Sequence, residues 1–488
     1  MLLWYGYIYY VLIFFITSVL SSFVLKVSFT HSINYKKIVR YCLFLFSTFF
    51  LFFTLSILTT LYCVIDKCFT FSYVTTDTGL FNYLEESTNR QLINAKHLNI
   101  SLAGVYALPF IYIFIFVTVL SLLFCLTYNV NEFITFSTYV VIILLAGYVL
   151  FFTDSMILFF FSYETLLVPS FFILYNFAKT RRCVEAAYLM FFWTQFGALW
   201  LIFVFLYIFF ICNTSHFSVV GDFSFSPFEV DFIFVCLLLG FGVKLPIWPF
   251  YGWLPKAHVE ASTNFSIFLS GVLVKFAFFG FLKCLLTIQL EPTFYFIYPF
   301  LTIGITDSVF KLFYQIDLKK LIAYSTVVEM HWLTLCIISG QSALILSGFC
   351  MLVSHALLST NSFLLVDAIA RRFKTRLITE VSGLNFICPK LFLLCLLNLL
   401  VYLGFPGSIM FIAEILFFTF LIDLFPLLYC FFIVLLYLLA PTFVLRTWMN
   451  ILFGTSSYSY KTIPSDLSSK EFFTYGLLIA IMFWFGVS

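Results

Sequence analysis

The stretch "GFGVKLPIWPFYGWLPKAHVEAS", residues 240–262, places Lys244 at the end of an apolar run and follows it with three prolines. Proline removes a helical hydrogen bond and clashes with the preceding turn, so a helix reaching Lys244 is predicted to break at Pro246 and Pro249. A charged side chain inside an apolar membrane segment is costly to bury. The stretch therefore predicts a broken membrane helix whose opened backbone gives Lys244 polar surroundings.

The composition of the whole chain supports this prediction. Of its 488 residues, 63% are hydrophobic and only 10% are charged. The net charge of +3 is too small, and the basic residues are too dispersed, to indicate nucleic-acid binding. The thirteen cysteines form no C-x-x-C pair and no Cys/His cluster, so we expect them to pack and to bind no metal or cofactor. The chain is predicted to be an all-α polytopic membrane protein.

Apolar segments long enough to cross a bilayer number about fourteen when roughly twenty residues are assigned to each crossing. The predicted spans are 2–25, 41–65, 105–128, 133–152, 155–177, 184–212, 230–250, 264–290, 292–314, 320–340, 341–367, 388–422, 424–450 and 471–487. They define four parts of the chain. These are three N-terminal helices with a polar loop at 66–104 (1–132), a first five-helix repeat (133–290), a second five-helix repeat (291–450), and a loop with a C-terminal helix (451–488).

Two of these spans are interrupted at corresponding places. The seventh contains Pro246 and Pro249, and the twelfth contains "GFPGS", with Gly404, Pro406 and Gly407. Because the two spans are five apart, the five-span units have opposite polarity and predict an inverted repeat with one broken helix in each copy. Broken helices at matching positions are typical of ion paths through membranes.

Loop charges predict the orientation of the spans. Basic loops follow odd-numbered spans at 26–40, 179–182, 317–320 and 370–376, whereas acidic residues follow even-numbered spans. By the positive-inside rule the basic loops face the matrix or cytoplasm, and both termini face the opposite side.

Several titratable residues lie deep within predicted spans. They are Glu164, Lys275, Glu329, His331, His355 and Glu414, and Lys244 lies beside the first break. An ionised group at such depth costs about 2.5–3.5 kcal/mol on insertion scales, so a set of this size indicates function. Carboxylates, lysines and histidines in series suit proton transfer, because burial and charged neighbours tune how readily each holds a proton.

The same residues also have structural interpretations. Lys244 could extend its ammonium to the membrane interface. Lys275 and Glu164 could be retained as a purely structural buried pair. His355, taken alone, could be a hydrogen-bonded packing residue.

Two further groups of charged residues are predicted to be structural. Asp307 and Lys311, four residues apart on one helix, are expected to neutralise each other. Lys256, His258 and Glu260 follow the first break and are expected to form an interfacial cluster.

At these residues the sequence resembles the antiporter-like membrane subunits of respiratory NADH dehydrogenase, complex I, whose relatives include Mrp-type sodium/proton antiporters. The resemblance spans about 160 to 415 and rests on "ETLLVPSFFIL", "VKLPIWPFYGWLPKAHVEAS", "LSGVLVKFAFFGFLK", "QIDLKKLIAYSTV", "SHALLSTNSFL" and "GFPGSIMFIAE". Glu414 and the short segment after residue 450 favour the type 4 subunits, since types 2 and 5 usually carry lysine at that position and type 5 has a long lateral helix.

The resemblance implies roles for individual residues. Glu164 and Lys244 match the charged pair of the first half, and Lys275 matches the central lysine. His355 matches a relay residue, and Glu414 matches the terminal carboxylate on the broken twelfth helix. The family also implies fourteen helices, two inverted repeats and a polar axis through the membrane arm.

The sequence departs from the family pattern at two positions. Ser262 stands where proline is common, and Glu329 replaces the usual histidine of the tenth span, with His331 two residues later. A helix turns about 200° over two residues, so His331 is not expected to occupy the same place. Glu329 is therefore a candidate to take over the proton-carrying role.

Three functions fit these observations. The first is a proton-translocating subunit of complex I, with NADH, FMN, iron–sulfur clusters and ubiquinone bound by partner subunits of the membrane and redox arms. The second is a stand-alone cation/proton antiporter, and the third is a structural subunit that no longer pumps. The resemblance implies the mitochondrial inner membrane, and the hydrophobicity favours synthesis inside the organelle. Membrane lipids and neighbouring antiporter-like subunits are the expected partners.

Overall fold

A computed structural model describes seven parts of the chain. They are residues 110–111, 113–122, 130–178, 180–288, 297–424, 426–455 and 464–487. These residues all belong to one compact unit, Phe81–Ser488. The first two predicted spans and the loop at 66–104 lie outside the described residues, and the third span is described in part.

The described chain is built almost entirely from helices. In chain order they are α1 (Ile113–Leu122), α2 (Val130–Phe152), α3 (Met156–Thr165), α4 (Leu167–Asn176), α5 (Arg181–Cys212), α6 (Phe217–Val220), α7 (Pro227–Lys244), α8 (Trp253–Glu260), α9 (Thr263–Phe268), α10 (Val274–Ile288), α11 (Ile297–Phe313), α12 (Leu318–Ile338), α13 (Ser342–Phe373), α14 (Leu384–Ile387), α15 (Pro389–Tyr402), α16 (Ile409–Leu424), α17 (Pro426–Phe432), α18 (Ala440–Phe453) and α19 (Ser469–Val487).

Long apolar helices dominate this architecture. Within the described residues, eight helical segments are long and apolar enough to cross a membrane. The segments Thr263–Ile288 and Leu318–Ile338 are largely covered by other helices, whereas Arg181–Cys212 exposes much of its apolar surface. Such exposure suits a lipid or protein neighbour. The chain is a mainly helical multi-pass membrane protein, as the composition predicts.

The first break follows α7. This helix ends at Lys244, and a short 3₁₀ turn at Phe250–Gly252 leads into α8. The helix is therefore shorter than the predicted span 230–250, because Pro246 and Pro249 cannot continue its hydrogen bonding.

The second break separates α15 from α16. Gly404 and Gly407 adopt positive φ angles of 63° and 92° within the intervening turn. This left-handed conformation costs glycine little and other residues more, so the "GFPGS" sequence suits a helix interruption. Both interruptions lie at the positions that the sequence indicates.

Three helix irregularities were not predicted. One is a π-helical turn at Ile433–Leu439, between α17 and α18. The other two lie near residues of the predicted site. The span containing Glu164 is interrupted at Leu166, between α3 and α4. The segment Leu269–Leu273 forms a π-helical turn between α9 and α10, immediately before Lys275. Both of these irregularities adjoin a titratable residue, and π-helical turns are frequent at functional sites.

The predicted basic loops that fall within the described residues meet at one end of the helices, and the loop at 26–40 lies outside those residues. Arg376 forms an ion pair with Asp317 at 3.3 Å, and Lys319 Nζ donates to the Ala261 carbonyl at 2.9 Å. Thr180 donates to Glu260 at 3.3 Å. These contacts bring together loops that belong to different odd-numbered spans, an arrangement that the predicted orientation requires.

Candidate functional site

Lys244 and Glu164 form a pair beside the first break. Lys244 Nζ lies 3.5 Å from Oε1 of Glu164, and the side chains are only 12% and 19% exposed. The ammonium also donates to the Tyr163 carbonyl at 3.1 Å and lies 3.4 Å from the centre of the Tyr163 ring. Lys244 is thus held inward by a carboxylate, a carbonyl and an aromatic face, and its ammonium does not extend to the surface.

Lys275 is buried at the start of α10, where the π-helical turn shapes its surroundings. Its Nζ donates to the carbonyl of Ser270, five residues earlier, and lies 2.5 Å from Nδ1 of His355. A π-helical turn alters the ordinary i to i−4 hydrogen bonding and here leaves the Ser270 carbonyl accessible to a side chain. The π-helical turn and the position of the Lys275 ammonium are therefore linked.

Glu329 lies on the side of the His355 ring opposite Lys275. Oε2 of Glu329 lies 3.6 Å from Nε2 of His355, and both side chains are buried. Lys275, His355 and Glu329 come from α10, α13 and α12. Three helices thus converge on one line of protonatable groups, which we call the Lys275 series.

Glu414 lies at the second break. Its carboxylate contacts the backbone of Gly404, where a side chain would overlap it, and its Oε2 has no hydrogen-bond partner among the described residues. Glu329 interacts electrostatically with Glu414, and Tyr402 interacts with both carboxylates. Glu414 is therefore linked electrostatically to the Lys275 series through Glu329, without a hydrogen bond or ion pair between the two carboxylates among the described residues.

His331 faces a different neighbour. Its Nε2 accepts a hydrogen bond from the Trp248 amide at 2.8 Å, inside the first break. Glu329 and His331 thus contact different parts of the structure, as their separation around the helix predicts.

Six of the seven predicted residues fall into two groups, and His331 belongs to neither. One is the Lys244–Glu164 pair, and the other is the Lys275 series with Glu414. Among the described residues, no hydrogen bond or ion pair joins the two groups directly. The assignment of proton-transfer roles to these residues stays a prediction.

The structure separates the predicted interfacial cluster. His258 is fully buried and stacks on Phe363 with ring centres 5.0 Å apart, whereas Lys256 is exposed and Glu260 accepts from Thr180. Sequence reasoning placed His258 at the interface because it follows the prolines, although its apolar neighbours Ala257 and Val259 favour burial.

One other prediction from the sequence, the pairing of Asp307 with Lys311, has a clear outcome. Lys311 and Asp307 form the predicted ion pair at 2.8 Å, and Tyr251 joins both side chains through its hydroxyl. Tyr402 was not anticipated as a neighbour of the carboxylates. Its position at the end of α15, just before the glycines of the second break, is the signal that could have identified it.

The arrangement suits proton storage and transfer. Each member of the Lys275 series can exist in two protonation states, and the His355 ring offers one nitrogen to the lysine and one to the carboxylate. In a buried environment, the charge on one member strongly affects the charge that its neighbour can carry. Transfer of one proton would therefore change how readily each of the other members of the series holds a proton.

The family match covers the region that contains all these residues. The model of the family described as "NADH:quinone oxidoreductase/Mrp antiporter, TM" matches residues 153–440. The chain is 36% identical to NADH-ubiquinone oxidoreductase chain 4 of Paramecium tetraurelia over 327 residues, which are 67% of this chain and 69% of the relative. It is 31% identical to the same-named protein of Chondrus crispus over 336 residues, 68% of each chain.

Solved structures share the fold. A chain of respiratory complex I from Thermus thermophilus with bound NADH has a TM-score of 0.65 and 20% identity, covering 78% of this chain and 81% of that one. A chain of the Mrp complex from Dietzia sp. DQ12-45-1b has a TM-score of 0.69 and 15% identity, covering 84% of this chain and 89% of that one. The resemblance inferred from the motifs is confirmed, and the chain belongs to the NADH:quinone oxidoreductase/Mrp antiporter transmembrane family.

Proposed function

We propose that the chain is a proton-translocating, antiporter-like core subunit in the membrane arm of complex I, an NADH:ubiquinone oxidoreductase. The observation that carries this proposal is the Lys275 series, in which a buried lysine, histidine and carboxylate from three helices lie within contact distance. Burying such a line of ionisable groups in a membrane is costly, and this cost indicates that the groups have a function. The names of the curated relatives support the choice of enzyme complex.

The proposed proton carriers are six of the seven predicted residues. They are Glu164, Lys244, Lys275, Glu329, His355 and Glu414. Charge on the Lys244–Glu164 pair would bias the protonation of the Lys275 series, because buried charges interact over longer distances than solvated ones. The seventh candidate, His331, contacts the first break instead.

The proposed architecture has fourteen membrane helices. Two inverted five-helix repeats, 133–290 and 291–450, would each contain one break, at Pro246 and Pro249 in the first and at Gly404, Pro406 and Gly407 in the second. A three-helix group (1–132) would precede them, and a loop with one helix (451–488) would follow. The breaks described beside Lys244 and Glu414 support this division.

The remaining chemistry is assigned to partners. NADH, FMN, iron–sulfur clusters and ubiquinone are expected on other subunits of the complex, and this chain would carry no redox centre. Neighbouring antiporter-like subunits and membrane lipids would cover its exposed apolar helices. The proposed location is the mitochondrial inner membrane, with synthesis inside the organelle.

A cation/proton antiporter outside complex I is the second candidate function. The similarity to a chain of the Mrp complex favours it, because the fold of that chain matches over most of its length. The two functions would use much the same buried residues. Sodium-dependent transport by the chain without the redox arm would support the antiporter.

Replacement of Lys244 tests the first proposal. The Lys244→Ala variant of the intact complex, reconstituted into liposomes, is expected to lose both proton pumping and coupled NADH oxidation while it assembles normally. Because the variant removes a proposed proton carrier, we expect at least about a tenfold loss of rate. Proton uptake is followed with a pH-sensitive dye, and assembly is checked on the same sample.

The exposed Lys256 provides the matched control. Lys256→Ala removes the same side chain from the next helix and should leave both activities unchanged. Full pumping by an assembled Lys244→Ala complex would instead support a structural subunit that no longer pumps.

A further inference from the structure

His331 is buried with both ring nitrogens occupied by backbone groups. Nε2 lies 2.8 Å from the Trp248 nitrogen, and Nδ1 lies 2.8 Å from the Val327 carbonyl oxygen. A backbone N–H can only donate and a carbonyl can only accept. The ring must therefore carry its proton on Nδ1 and remain neutral while both contacts are made.

The Trp248 amide belongs to the first break. It lies between Pro246 and Pro249, after α7 has ended at Lys244. A helix interruption leaves backbone amides without their usual partners, and a buried donor without a partner is destabilising. In this structure the partner of the Trp248 amide comes from a different helix, α12, and it is the His331 ring.

A glycine on a third helix makes room for this contact. A side chain at Gly304, on α11, would overlap Nε2 and Cδ2 of His331 and would lie 2.8 Å from Cβ of Trp248. The break, the histidine and α11 therefore meet at one point. Histidine at 331 departs from the family pattern, and it occupies a site in which both ring nitrogens have backbone hydrogen-bond partners.

We infer that His331 is a positioning residue, which fixes the break beside Lys244 and does not itself pass protons. The inference rests on the proposed function, because the break is argued to matter through Lys244. Glu329, two residues earlier on the same helix, contacts His355 instead. Helix α12 would thus connect the Lys275 series to the first break, with one residue carrying protons and the other holding the backbone.

Two substitutions at His331 separate positioning from proton transfer. His331→Gln keeps an acceptor at the end of the side chain but removes the titrating ring, and it should pump within about twofold of wild type around neutral pH. His331→Leu removes the acceptor and should lower pumping by about tenfold, the scale expected for an unpaired buried donor. Both are measured in the intact, reconstituted complex.

Amide hydrogen exchange gives a readout that does not depend on pumping. Because proline has no amide hydrogen, Ile247 and Trp248 carry the exchangeable backbone amides between Pro246 and Pro249. A peptide over this segment should exchange slowly in wild type and in His331→Gln, and faster in His331→Leu. Equal failure of the Gln and Leu variants in pumping, or unchanged exchange in the Leu variant, would overturn the inference.

A second variant tests the site if His331→Leu does not assemble. Gly304→Ala leaves His331 intact but displaces its ring, and it should give the same loss of pumping and the same faster exchange. Gly252→Ala is the control, because a side chain there meets no atom within 4 Å. Normal exchange in Gly304→Ala would contradict the inference. If Lys244→Ala pumps fully, the proposed function fails, whereas faster exchange in His331→Leu would still show that His331 holds the break.

Discussion

Lys275 Nζ lies 2.5 Å from Nδ1 of His355, and Nε2 of the same ring lies 3.6 Å from Oε2 of Glu329. A charged lysine can only donate, so Nδ1 accepts from it and Nε2 carries the proton of the neutral ring. In this tautomer the ring proton lies on the side of Glu329, whose Oε2 at 3.6 Å is too far away for a direct hydrogen bond. His355 is therefore placed to receive a proton on one side as it releases one on the other.

The first prediction concerns this ring. His355→Phe replaces the five-membered imidazole with a somewhat larger six-membered aromatic ring and removes both nitrogens, so Lys275 and Glu329 lose the protonatable group between them. We expect proton pumping to fall at least about tenfold, in the range of effects of proton-transfer groups, while the complex still assembles. Dye-monitored pumping in proteoliposomes provides the measurement.

The adjacent buried Ser354 supplies a control for packing. Ser354→Ala changes the same helix turn, where the hydroxyl bonds mainly to the helix's own Met351 carbonyl. It should pump like wild type. If His355→Phe also pumped like wild type, the Lys275 series would not be the path of the proton.

The second prediction concerns Glu329, which stands where the family usually has histidine. Glu329→Gln keeps the shape but cannot exchange a proton, and we expect it to lose pumping by at least about tenfold. Glu329→His restores a titrating group at the same place and should recover a substantial part of the activity. Pumping and NADH oxidation are compared in the same preparations.

The pumping rates of the Gln and His variants, compared with wild type and with each other, decide the role of Glu329. A Gln variant that pumps as well as wild type would assign Glu329 a structural role. A His variant no better than Gln would mean that this pocket requires a carboxylate and that the family histidine is not its equivalent.

The breaks could be predicted from sequence because their causes are local. Proline at 246 and 249 stops a helix wherever it stands, and glycine at 404 and 407 favours the left-handed turn. The depth of Lys275 and Glu414 also follows from counting residues along apolar segments. The sequence therefore identifies most of the charged residues that the structure brings together.

Contacts between helices could not be predicted in the same way. The π-helical turn before Lys275 could not be predicted, because nothing in "LSGVL" signals it. Helical periodicity predicts that Glu329 and His331 diverge, but it does not reveal that one meets His355 and the other Trp248. Such pairings depend on tertiary packing, because one periodic pattern is compatible with several different neighbouring helices.

The third prediction concerns Gly404 and the carboxylate that it accommodates. Gly404 has a φ of 63°, and a side chain there would overlap the Glu414 carboxylate. Gly404→Ala therefore has two effects, a left-handed backbone cost of about 1–2 kcal/mol and displacement of Glu414. We expect both lower thermal stability of the complex and a clear loss of pumping.

Gly340 separates these two effects. Its φ is 67°, close to that of Gly404, but a side chain there meets no atom within 4 Å. Gly340→Ala should therefore show a similar loss of stability with normal pumping, as measured by thermal unfolding and dye uptake on the same samples. Because the backbone cost is shared, a pumping defect confined to Gly404→Ala would be due to the displaced Glu414 carboxylate. Equal pumping by the two variants would remove Glu414 from the proposed path.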